Sequence, residues 1–100
     1  MVTKDEARKY LSDAAPDQCF WANNGPILKN LEELANAFPE MSDETFNYHV
    51  NKDKNDFCNW ISDVIGDKKL ANDLLSSKKK ESALKKIRNR LSSLKKQYGK

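Results

Sequence analysis

The sequence predicts a mainly α-helical, compact multi-helix single domain, with at most one small β-hairpin near residues 18–29 and a long basic C-terminal helix. Three observations carry this. Apolar residues recur at helical spacing, most clearly Phe57, Trp60, Ile61, Val64 and Ile65 at i, i+3, i+4, i+7 and i+8. Short polar residues suited to capping stand just before such runs, at Thr3, Asn30, Ser42, Asn55 and Asp67. Finally, 100 residues of which 33% are charged suffice for one economical core and little more.

Taken in order, Thr3 caps a first helix whose Asp5 and Glu6 suit the positive end of the helix dipole. Pro16 disfavours helical geometry in the residue before it and ends that helix near "DAAPD". In "QCFWANNGPILKN" aromatic and branched residues flank Asn24-Gly25, a dipeptide that tolerates the positive φ of a tight turn. Pro26 limits the pairing that follows. Asn30 and Glu33 then make a capping box for a helix that buries Leu31, Leu34, Ala35 and Phe38 and stops at Pro39. Ser42 starts "DETFNYHV", and Asn51 accepts the left-handed turn of a helix end. The strongest stripe follows, capped by Asn55 and ended by Gly66. Asp67 opens "KKLANDLL", with Leu70, Leu74 and Leu75 facing inward. The expected core is Phe46, Phe57, Trp60, Ile61, Val64, Ile65, Leu70 and Leu74.

Within this run Phe46, His49, Val50, Asn51, Asn55, Asp56, Phe57, Trp60, Ile61, Val64, Gly66, Asp67, Leu70, Ala71 and Leu74 form a pattern. Together with the upstream "FW…G.ILKNLEELA", it resembles an uncharacterised family of small helical domains seen chiefly in archaeal and some bacterial proteins. The likeness covers about residues 20–75 and implies a helical fold, without an activity. Cys58 stands where that pattern has a small apolar residue.

Charge divides the chain. Residues 1–77 form an acidic body, with eight bases against fourteen acids, and residues 78–100 a basic segment with ten bases against one acid, Glu81. Such segregation speaks to partners more than to fold. Within the basic segment Leu84, Ile87, Leu91, Leu94 and Tyr98 repeat with spacing 3-4-3-4, the narrow seam of an amphipathic helix. Lysines and arginines fill most of the remaining circumference. A solvated face normally mixes both signs, because Glu–Lys pairs at i, i+4 support a helix and like charges there cost a few tenths of a kcal/mol. The near absence of acids points to an anionic partner, in trans or in the acidic body itself.

Nucleic acid, DNA or RNA, is the leading expectation, since phosphates reward a dense cationic array without base recognition. The candidate binding residues are Lys78, Lys79, Lys80, Lys85, Lys86, Arg88, Arg90, Lys95 and Lys96. The alternative is a helical protein-interaction or adaptor module that docks or dimerises through Leu84, Ile87, Leu91, Leu94 and Tyr98. Two heptads are short for an independent coiled coil, which favours packing of the seam onto the body. A membrane surface fits poorly, because the apolar band is narrow and carries one aromatic.

No enzyme, cofactor or metal is expected. Cys58 and His49 are the sole nucleophile-and-base candidates, and Cys58 beside an apolar stripe reads as a small hydrophobe. Asp53, Asn55 and Asp56 lack the glycine and glutamate an EF-hand loop needs at its sixth and twelfth positions, where Cys58 and Val64 stand. Phe20, Trp21 and Trp60 read as core. Cys19 and Cys58 are expected as two reduced thiols, and with no apolar leader the protein is placed inside the cell, cytoplasmic or nucleoid-associated.

Overall fold

Thr3 begins the fold with a complete capping box. Its hydroxyl accepts the Glu6 N–H at 3.1 Å, and the Glu6 carboxylate accepts the Thr3 N–H at 3.0 Å. The structure, a computed structural model, describes residues 2–23 and 25–99. Helix α1 runs Lys4–Leu11 and stops as Ser12 turns extended. A single 3₁₀ turn follows at Pro16–Gln18, where proline supplies the fixed φ of a first helical position.

The hairpin is short. Strand β1 (Phe20–Trp21) pairs antiparallel with β2 (Ile27–Leu28), Phe20 opposite Leu28 and Trp21 opposite Ile27. Alternation along a strand sends Phe20 and Leu28 into the core and leaves Trp21 and Ile27 on the outer face. The expected core position of Trp21 is therefore wrong: it is 70% exposed. Asn24, half of the anticipated turn dipeptide, lies outside the described residues. Around it Ala22 donates to the Pro26 carbonyl at 3.2 Å and Gly25 to the Ala22 carbonyl at 3.0 Å.

Helix α2 (Leu31–Ala37) is capped by Asn30, whose side chain accepts the Glu33 N–H at 2.7 Å. The Glu33 carboxylate returns to the Lys29 N–H, one residue before the partner a capping box would use. Pro39 converts the end of α2 into a 3₁₀ turn at Phe38–Glu40. Helix α3 (Asp43–His49) is capped by Ser42 and ended by an extended Val50. Asn51 contributes through its side chain, accepting the N–H groups of Asp53 and Lys54, which closes a turn bridged by Val50 and Asn55.

Asn55 caps α4 (Asp56–Trp60), which continues into one π turn at Ile61–Ile65. The Gly66 N–H reaches five residues back to Ile61 O at 2.7 Å, and Gly66 itself takes φ 92°, a conformation that suits glycine. The wider turn carries Ile61 and Ile65 inward and leaves Val64 at the flank, half-buried, where a strict 3.6-residue period puts it in the core. Helix α5 (Lys68–Leu74) buries Leu70, Ala71 and Leu74. Leu75, expected inward, is 54% exposed: it sits past the last turn and lies roughly 140° around the helix from Leu70.

Helix α6 (Lys80–Tyr98) packs against α1, α2 and α5, and its Ala83, Ile87, Leu91 and Leu94 belong to the same core as the rest of the chain. The apolar line starts at Ala83, a small residue that lets α6 approach closely. Leu84 is consequently half-buried, and Tyr98 is exposed rather than part of the seam. At the centre Phe57 meets Phe20 (ring centroids 4.9 Å), Phe38 (5.1 Å) and Phe46 (5.8 Å). The whole occupies 39 × 28 × 23 Å, and no helix among the described residues is long and apolar enough to cross a membrane.

Candidate nucleic-acid interface

Helix α6 sorts its cations by which way the packed seam turns them. Four of the nine expected to meet nucleic acid are held by the chain itself. Arg90 makes a two-pronged pair with Asp67, Nε to Oδ2 at 2.7 Å and a terminal nitrogen to Oδ1 at 2.8 Å. Asp67 is 1% exposed and the Arg90 side chain 13%, so this pair is interior. The hydrogen bond to Asp67 outweighs burial and raises the Arg90 pKa further, keeping the guanidinium charged. Lys86 donates to Asp73 O (2.9 Å) and to the Ser76 hydroxyl (3.1 Å). Lys80 donates to Met41 O at 2.5 Å, with Asp43 at 3.7 Å, and Lys95 pairs with Glu32 of α2.

The other five, Lys78, Lys79, Lys85, Arg88 and Lys96, are exposed, and among the described residues no hydrogen bond or ion pair engages them. At 100° per residue Arg88, Lys85 and Lys96 fall within about 80° of the helix circumference and along about 16 Å of its axis. Ser92 lies between them, a small side chain that permits close approach. Lys78 and Lys79 stand just before the first turn of α6. Glu81, the one acid, shares this arc a turn ahead of Lys85. The site is therefore narrower than the wide cationic surround read from the sequence.

The apolar seam is not free to dimerise. Ile87, Leu91 and Leu94 are buried against the chain's own body, which takes them out of the proposed self-association surface.

His49 and Cys58 do not form a catalytic pair. Both imidazole nitrogens are engaged elsewhere: Nε2 accepts the Asn23 N–H at 3.0 Å, and Nδ1 lies 2.9 Å from Asp56 Oδ2. With Nε2 accepting, the ring proton sits on Nδ1 and is donated to Asp56. Burial pushes the Asp56 carboxyl up, but hydrogen bonds from His49 and Lys54 together outweigh it and hold the group below its ordinary value. The unit ties the hairpin loop to α3 and α4. Burial likewise pushes the Cys58 thiol up to about 11, against a smaller opposing effect of the Lys78 charge. Alkylation with iodoacetamide near ~pH 8, where only thiolates react well, is expected to modify half-buried Cys19 and spare Cys58. Equal labelling by mass spectrometry of the folded protein would contradict the buried site.

Two features escaped the sequence reading. The Asp67–Arg90 pair joins residues far apart along the chain, and nothing local singles Arg90 out from its neighbours. The outer Trp21–Ile27 pair had a signal, since placing Phe20 and Leu28 inward forces their strand neighbours outward. Searches with this chain matched no family model, no curated protein and no solved structure. The reading of its role rests on the interface itself.

Proposed function

We propose that the protein is a non-enzymatic nucleic-acid-binding protein that grips backbone phosphates with little sequence preference. The carrying observation is that Lys78, Lys79, Lys85, Arg88 and Lys96 stay exposed on and beside one helix with no hydrogen bond or ion pair among the described residues, while Lys80, Lys86, Arg90 and Lys95 are tied to the chain's own acids and carbonyls. Like charges so placed repel one another unless an anion lies across them. Phosphate oxygens spaced along a strand suit such a row, and counterion release supplies the affinity.

Three to four of these side chains meet one duplex at a time, so binding to duplex DNA is expected to show a log–log salt slope of about −3 to −4, at about −0.9 per phosphate neutralised. Reversing Lys85 and Arg88 together to Glu is expected to weaken binding to all sequences alike and flatten the slope by about 2. Both positions are exposed, so melting should change little. Lys95→Glu should act less on binding, because Lys95 already faces Glu32. A parent protein that fails to bind DNA or RNA at low salt would overturn this reading.

A further inference from the structure

A second surface is built by elements other than α6. The hairpin loop, the end of α2 and the start of α3 enclose an open groove of about 690 Å³. Its floor is apolar, made by Ala22, Pro26, Leu28, Ala37 and Met41, and Ile27 stands on its lip at 53% exposure. Trp21, paired with Ile27 across the hairpin, continues the apolar surface beyond that lip. Glu33, Glu40 and Glu44 line the groove, and no lysine or arginine does. Glu33 is partly engaged, by the Lys29 N–H and by the Lys29 ammonium at 4.0 Å. Glu40 and Glu44 are exposed, and among the described residues neither has an ion-pair partner.

We infer that this groove docks a cationic segment of a partner protein, one that seats an apolar anchor side chain on Ala37 and Met41 and sets lysine or arginine beside Glu40 and Glu44. Charge complementarity selects the occupant. An apolar floor alone accepts many side chains, but Glu40 and Glu44, which have no ion-pair partner among the described residues, disfavour acidic segments and attract basic ones. The same carboxylates repel a phosphate backbone. Trp21, exposed beyond the lip, is of a residue type enriched among interface anchors. The inference is independent of the nucleic-acid reading, since none of the five exposed tail cations lines the groove.

The test uses two labelled peptides of about a dozen residues with the same central Leu-Phe anchor, one flanked by lysines and the other by glutamates. Amide NMR spectra of the full chain are recorded during each titration. The lysine-flanked peptide is expected to shift Ala37, Met41 and Thr45 amides saturably, and the glutamate-flanked one to leave them in place. Glu40→Lys with Glu44→Lys should weaken the lysine-flanked peptide about tenfold or more with only a small fall in melting temperature, because both residues are exposed but Glu44 stands in the first turn of α3. Ala37→Gln, which fills the floor without changing the charge of the rim, should also weaken the shifts. Equal binding of both peptides, or shifts confined to α6, would overturn the proposal. So would self-association in sedimentation that Glu40→Lys with Glu44→Lys removes, since the occupant would then be a second copy of this chain. Weakened DNA binding in the Lys85/Arg88 variant with peptide binding intact separates the two sites.

Discussion

Asp67→Ala is expected to destabilise the protein by about 3–5 kcal/mol, the range for removing one member of a buried ion pair. Asp67 does two jobs at once. Its Oδ1 accepts the Leu70 N–H, capping α5, and both its oxygens receive the Arg90 guanidinium from α6. Deleting the carboxylate strips the cap and leaves a largely buried cation without its counter-charge, and the second effect is the larger. Asp67→Asn keeps the cap and should still lose much of the stability, because Arg90 stays charged and unmatched. Adding Arg90→Met to Asp67→Asn removes the stranded charge and should restore most of the loss. Urea denaturation of the four proteins decides this. If the double variant is no more stable than Asp67→Asn alone, the cost lies in the cap and the packing rather than in a stranded cation.

Trp60→Ala is expected to cost a similar ~3–5 kcal/mol, as for other large buried aromatics. Trp60 is buried, packs edge-on to Phe20 (5.8 Å) and donates its indole N–H to Gln18 O at 2.8 Å. It thereby fastens the 3₁₀ turn and the hairpin to α4. Trp60→Phe keeps an aromatic body and deletes the donor, so it should fall well short of the alanine cost, losing about 1 kcal/mol for the hydrogen bond plus part of the packing. A Trp60→Ala protein that melts with the parent would show that this corner does not belong to the cooperative core.

The start of every capped helix was legible because an N-cap is a local event. Thr3, Asn30, Ser42, Asn55 and Asp67 each accept the N–H of the residue three ahead, a local signal in the sequence. Gly66 was legible for the same reason, as the residue suited to a left-handed helix end. What failed was whatever depended on a neighbour distant in sequence or on a departure from ideal helical pitch. The π turn displaced Val64, and the short α5 left Leu75 outside. The tail seam was found in outline, yet its first member is Ala83, whose value lies in smallness against other elements and not in hydrophobicity. For the candidate interface, the sequence marked nine equivalent cations. Only the docked position of α6 distinguishes Arg90, turned onto a buried carboxylate, from Arg88 two residues away, turned to solvent.

The contact of α1 with α6 joins elements separated by about seventy residues. Closing a loop of that length costs chain entropy before any contact across it gives a return. Helix α6 also resists forming early, since its crowded lysines repel one another and its apolar line is narrow. Docking, through buried Ile87 and the Arg90–Asp67 pair, supplies stability to α6 that its local sequence lacks. A chain with α6 undocked would expose the apolar line of that helix and the face it covers together, the combination that promotes aggregation.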